Sequence, residues 1–426
     1  MGSMIDKLLS RLTQDPREQH NVKRLGVNMM LQNADLPLYT GTELQAFQVK
    51  VGLSTSQMGL IGIPGTIVSI IAMLWSTGMG DKIRRRVHIA SLVIAGMSLL
   101  PLTMLIMCLG PASFRRPDVV QVIMMTVAVI NAAFYSFYSV LWATIFSRAI
   151  RNEIRGRFMG IVGVVGGLIG MGVGLLSALA LKYYGYPHGF TIAFLVSVLL
   201  IFLSAIVIRG TRELPELQAR ELPPRVSPWT NLRQVVGMRQ FRILMPANVL
   251  RGLGDGAGTF AMAVGMSRMG LSLEYAGYTT ALTYFAGLLA TAMIGVTVDR
   301  FGAGKVIPII EVFLVIGLMG MVMVSMPVLF LLFFLLWQIM VTMEGLAIPL
   351  VHFEIVPVEV IGAFSGVRLL ILTVVGGLSG LAVGYGLELV SPLLIYALCA
   401  GLKLTAGILY WYGVKVVRNG IVPTAP

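Results

Sequence analysis

Apolar residues run through this chain in long stretches separated by short polar gaps. Twelve of them are long enough to cross a bilayer, which takes about 20 residues in a helix. They lie near 25–50, 56–79, 88–110, 119–146, 157–181, 189–208, 244–267, 274–297, 306–325, 328–350, 363–387 and 391–414. Two of the twelve break the uniform apolar pattern. In span 1, Asn28, Gln32, Asp35, Tyr39, Thr42 and Glu43 fall on one helical face roughly 100° wide. A polar stripe on a spanning helix predicts that the face lines a water-filled cavity, and Pro37 and Gly41 are placed to bend the helix there. In span 7, Asn248, Arg251, Asp255, Thr259, Met262 and Met266 form the matching stripe. Arg251 and Asp255 are spaced to pair along one helix. Gly252, Gly254, Gly256 and Gly258 allow close packing or a local break that frees backbone carbonyls.

The pattern repeats. Gly52-Leu53-Ser54 opens a stretch ending at Asp81-Lys82, and Gly270-Leu271-Ser272 opens one ending at Asp299-Arg300, with an offset of 218 residues at both ends. A duplicated module in so apolar a chain predicts two six-helix halves. The expected organisation is a cytoplasmic segment at 1–24, a first bundle at 25–208, a cytoplasmic loop at 209–243, a second bundle at 244–414 and a cytoplasmic tail at 415–426. The loop, with Pro215, Pro223, Pro224 and Pro228 among alternating charges, reads as a partly helical or interfacial connection. Residues 1–24 lack an apolar h-region, so no cleavable signal peptide is expected, and Met1-Gly2-Ser3 ahead of Met4 reads as a cloning remnant.

Composition agrees with the pattern. The chain is 57% hydrophobic and 12% charged, against about 25% charged in soluble domains. The net charge of +13 suggests nucleic acid until its distribution is read. With both termini inside, 24 of the 32 Lys and Arg fall in inner segments, five in outer loops and three within spans. That bias is a topology signal in the sense of the positive-inside rule, so no nucleic-acid partner is expected and the lipid bilayer is. The expected location is the inner or plasma membrane, multi-pass, with both termini cytoplasmic. Cys108 and Cys399 lie inside spans and read as buried thiols. Met262, Met266 and Met269 have the spacing of soft-metal ligands, but no His or Cys joins them, and methionine is common filler in apolar helices. Neither a metal nor a cofactor is expected.

A loop of Gly295, Asp299, Arg300, Gly302 and Lys305, echoed less fully by Asp81, Lys82, Arg85 and Arg86, resembles the signature between spans 2 and 3 of the major facilitator superfamily. Thr77 and Arg84 stand where the first copy would have its two glycines. Arg148, Arg151, Arg155, Gly156 and Arg157 are similar to that family's basic cluster between spans 4 and 5. The resemblance implies an all-α membrane protein of two pseudo-symmetric six-helix bundles that works by alternating access. Asp81, Arg85, Arg155, Asp299 and Arg300 are then expected as a conformational latch, since a loop carboxylate can cap a helix and pair with arginines. Span 4 has no arginine in its interior and span 5 no Gly-Pro pair, features the family's drug exporters carry.

Ionisable groups within spans are functional candidates by default. Asp35, Asp255 and Glu344 are expected to take and release a proton. Arg251 and Arg368 are expected to hold a negative charge on the solute. Asn28, Gln32, Tyr39, Tyr135 and Tyr138 are expected to supply polar and aromatic contacts. Lys403, mid-span 12, is expected to snorkel or pair with Glu311. No phosphate loop, metal cluster or nucleophile–base pair stands out, which argues against an enzyme. The expected function is proton-coupled transport of a small organic, anionic solute by a monomer. An exporter of amphipathic compounds and a non-transporting solute sensor are the alternatives.

Overall fold

The computed structural model describes residues 12–76, 85–212, 214, 228–357 and 360–421. All regular structure in them is helical: α1 Pro16–Thr40, α2 Thr42–Val51, α3 Thr55–Ser76, α4 Arg86–Met97, α5 Leu99–Leu109, α6 Pro117–Ala149, α7 Asn152–Tyr184, α8 His188–Ile208, α9 Pro228–Gly237, α10 Arg239–Gly254, α11 Ala261–Met269, α12 Glu274–Phe301, α13 Ala303–Met323, α14 Pro327–Ile355, α15 Ile361–Leu389 and α16 Pro392–Ile421. A 3₁₀ segment, Asp255–Phe260, joins α10 to α11. Each of the twelve predicted spans has its helix or broken helix. Ten of these are long and apolar enough to cross a membrane by length and composition. The helices of spans 1 and 7 are not among the ten, because they carry the polar stripes and are interrupted. The helix α9 provides the helical part expected of the long loop, and residues 215–227 lie outside the described residues.

Span 1 starts earlier than its apolar pattern suggests. Asp15 caps α1 by accepting from the Arg17 N–H at 2.9 Å, and Pro16 follows at the first helical position, where its missing N–H removes no bond. The added turns are polar because they are tied down. Glu18 accepts from the Arg151 backbone N–H at 2.7 Å, and Asn21 donates to the carbonyls of Ala149 and Arg212. Span 1 then breaks at Gly41 (φ −99°, ψ −144°), one turn after Pro37.

Two compact units result. The first comprises Met1–Gly52, Pro64–Arg225 and Leu273–Tyr284, so it includes the opening turns of α12. Within it α1 lies against α7 and α8, and α4 lies against α6 and α8. Phe47 of α2 meets Phe190 and Phe194 of α8 edge-on, with centroids 5.5 and 5.4 Å apart. The opening turns of α12 sit close on α7: a Cβ added at Gly174 would lie 2.6 Å from the Ala281 nitrogen, and one at Gly277 would overlap the backbone of Ala178.

The second unit comprises Leu53–Ile63, Val226–Ser272 and Phe285–Pro426. Here α13 lies between α14 and α16, and α10 packs on α15 and α16. Its core contains Phe241, Leu244, Leu314, Phe364 and Tyr410, all buried.

Candidate functional site

The first unit holds a cavity of about 230 Å³. Its wall includes Gln32, Asn33, Asp35 and Tyr39 from α1, Tyr135, Tyr138, Ser139 and Trp142 from α6, and Met97 at the end of α4. The 3.6-residue period puts Gln32, Asp35 and Tyr39 on one face of α1, so the stripe seen in the sequence is the cavity wall. Tyr138 donates to the Gln32 carbonyl oxygen at 3.0 Å. That bond orients the amide, and its buried Nε2 has no hydrogen-bond partner among the described residues. Asp35 is 2% exposed and has no ion pair among the described residues. Tyr135 is half exposed, while Tyr138 and Trp142 present a tilted pair of rings with centroids 6.3 Å apart. The wall therefore offers a carboxyl, an amide donor, phenols and aromatic faces.

Asn28 does not line this cavity. It is fully buried and donates to the carbonyl and hydroxyl of Ser204 at 3.1 and 2.7 Å, holding α1 to α8. One helical turn from Gln32, it belongs to the same stripe by periodicity, but its amide nitrogen is taken by Ser204 and its oxygen is buried without a partner among the described residues. Asn131 is likewise structural: it donates to the Met97 carbonyl, whose partner four residues on would be Pro101, which has no N–H to give.

The second unit holds a buried charge network. Glu344 of α14 accepts an ion pair from Arg251 of α10 and another from Lys403 of α16, each at 3.1 Å. The Lys403 ammonium also lies 2.5 Å from Asp255 and 3.9 Å from Glu311. One sequence expectation is corrected and another is narrowed. Arg251 does not pair with Asp255: the backbone enters a 3₁₀ turn at Asp255, which changes the register, and each finds a partner on another helix. Of the two alternatives for Lys403, pairing with Glu311 is the one seen, and the ammonium is fully buried with Asp255 and Glu344 around it as well. The glycines of span 7 make this possible. A Cβ at Gly254 would sit 2.7 Å from the Lys403 side chain, and one at Gly258 would overlap the Trp337 ring. Ser379 donates to the Leu253 carbonyl at 2.6 Å, satisfying the backbone at the break.

Arg368 stands apart from that network. Its Nε donates to the Asn248 carbonyl oxygen at 3.0 Å, and no carboxylate pairs with it among the described residues. Sequence reasoning passed over Glu311 as a site residue, because its surroundings depend on four helices distant in sequence.

The latch residues are only partly visible. Asp81 lies outside the described residues. Arg85 is exposed at the start of α4. Arg155 donates to the carbonyls of Ile150 and Ser147 and lies over the Phe146 ring. Asp299 and Arg300 are exposed at the end of α12, with Arg300 over Phe301.

Comparison with known proteins follows this geometry. The nucleoside transporter NupG is 15% identical with a TM-score of 0.69, over 92% of this chain and 99% of that one. A D-xylose-proton symporter is 15% identical with a TM-score of 0.67, over 92% and 97%. A bacterial homologue of the human lysosomal transporter Spinster is 18% identical with a TM-score of 0.66, over 97% and 100%. At these identities the likeness is one of fold. No curated protein matches the sequence. The profile of the Major Facilitator Superfamily matches residues 25–381. This multi-pass membrane protein, with a transporter fold, belongs to the major facilitator superfamily.

Proposed function

We propose that the chain is a proton-coupled secondary transporter that moves a small organic solute, carrying a negative charge, by alternating access. The observation that carries this reading is Asp35, a buried carboxyl in the wall of a polar and aromatic cavity, without a counter-ion among the described residues. Leaving an ionised carboxylate unpaired there is costly. A bound proton removes that cost, and a change in exposure during transport returns it, which couples proton binding to access. The solute contacts are Gln32 through its free N–H, Tyr39, Tyr135 and Tyr138.

In the second unit, Arg368 is the group offered to a negative charge, since a guanidinium keeps its charge and this one has no carboxylate partner among the described residues. Arg251 already has Glu344. It serves with Asp255 and Glu344 as part of the coupling network, and reaches a solute only if that pair opens. Among the structural relatives one is named as a proton symporter, which agrees with the coupling proposed here.

The exporter and sensor readings lack an observation of their own in this structure. The test is a thermal-shift screen of organic acids and neutral metabolites on purified protein, followed by uptake of each hit into proteoliposomes under an imposed pH gradient. Hits enriched in carboxylates or phosphates, with uptake that the gradient drives, are expected. Binding without flux, or flux indifferent to the gradient, contradicts the reading.

A further inference from the structure

Glu43 is the most anomalous polar group in the first unit. It lies at the start of α2, just past the break at Gly41, and is fully buried. Neither carboxyl oxygen has a hydrogen-bond partner among the described residues, although the Ser177 and Thr280 hydroxyls lie near it. A buried Glu without a counter-charge is rare, because desolvation of the carboxylate must be compensated.

The groups facing it are hydroxyls rather than cations. Ser177 of α7 and Thr280 of α12 lie beside it, and the Ser177 hydroxyl is itself buried without a partner. Tyr284, one turn further along α12, donates its hydroxyl to the Asn33 carbonyl. Thr42, the neighbour of Glu43, is bound into the same seam: it donates to the Ala276 carbonyl at 3.2 Å and accepts from Thr279 at 2.9 Å. No lysine, arginine or histidine pairs with Glu43 among the described residues. The start of α2 supplies partial positive charge, but none of its N–H groups bonds the carboxyl.

We propose that Glu43 is a second proton site, outside the solute cavity, and that its neutral form holds α2 against α7 and the opening turns of α12. A protonated carboxyl supplies the donor that the Ser177 oxygen lacks, and its carbonyl oxygen accepts from Thr280 or Ser177, so the seam closes with its polar atoms satisfied. When the proton leaves, the carboxylate has no cation to turn to, and water must enter the seam between the helices. Glu43 is not part of the cavity wall, so this site is separate from Asp35, and either assignment can fail alone.

The test labels purified full-length protein with dicyclohexylcarbodiimide, which reacts with protonated carboxyl groups in apolar surroundings, and maps the adduct by mass spectrometry. The adduct is expected on the peptide holding Glu43, falling as pH rises, unchanged in Asp35→Asn and lost in Glu43→Gln. Absence of any adduct on Glu43 in the unsubstituted protein at low pH overturns the proposal, whether or not the variant folds. Melting curves across pH give the second readout. A proton held in the folded state makes stability fall with rising pH. Glu43→Gln is expected to lose that slope and match the unsubstituted protein at low pH. Destabilisation by Glu43→Gln to the same extent at every pH, or Na⁺-dependent stabilisation that the variant loses, overturns it.

Discussion

Gln32 and Tyr138 show how a side chain is prepared for a ligand. Their hydrogen bond spends the amide oxygen, and the amide nitrogen has no partner among the described residues. A neutral hydrogen bond contributes about 1 kcal/mol, roughly fivefold in affinity. Tyr138→Phe is therefore expected to raise the solute KM about fivefold with little change in kcat, as measured by initial uptake rates. The charge network makes a larger prediction. Removing one partner of a buried ion pair costs about 3–5 kcal/mol, because the other charge is stranded. Lys403→Met leaves Glu344 with Arg251 alone and strips Asp255 and Glu311 of the cation they share, and is expected to be destabilising by that order. The double variant Lys403→Met with Asp255→Asn is expected to recover part of the loss, as read by melting in detergent. Residues whose position follows from periodicity on one helix were legible in the sequence: Gln32, Asp35, Tyr39, Tyr135 and Tyr138 line the cavity. Residues whose role depends on several helices were not. Lys403, Glu311 and Glu344 come from three different spans, and nothing in their local sequence says which carboxylate the lysine meets. Asn28 errs the other way: its spacing suits the stripe, but Ser204 takes its amide.

At the scale of elements, both polar spans are interrupted, although the apolar span 3 also breaks at Ser98. Span 1 breaks at Gly41 and span 7 at Asp255–Phe260, and these are the two spans that carry the polar stripes. The glycine run of span 7 foretold close packing or a break, and both occur at the same place. Gly258→Val is expected to destabilise the protein by about 1–3 kcal/mol, because the Trp337 ring occupies the space a side chain would need. The reading fails if Gly258→Val melts like the unsubstituted protein. Span boundaries were harder to foresee than span existence. Helix α1 runs back to Pro16 through Glu18 and Asn21, whose polarity reads as an exposed segment until their partners on other parts of the chain are known.

For the whole molecule, the twelve spans and the offset of 218 residues establish the architecture, because lipid permits only helices or closed barrels. The two halves are alike in path and unlike in chemistry. At that offset Asn33, in the cavity wall, corresponds to Arg251, in the charge network. The account assigns solute contacts and a lone carboxyl to the first unit, and a compensated network with one spare guanidinium to the second. Arg368→Gln is accordingly expected to weaken uptake of charged solutes at least tenfold more than that of neutral analogues, which a competition assay would measure.

The central claim is that Asp35 links proton movement to solute movement. It is tested most directly in proteoliposomes by comparing gradient-driven accumulation with solute counterflow for the unsubstituted protein and Asp35→Asn. The account predicts that Asp35→Asn loses accumulation under a pH gradient while keeping counterflow, because exchange needs the cavity and not the proton. Accumulation by Asp35→Asn that equals the unsubstituted protein's would contradict it.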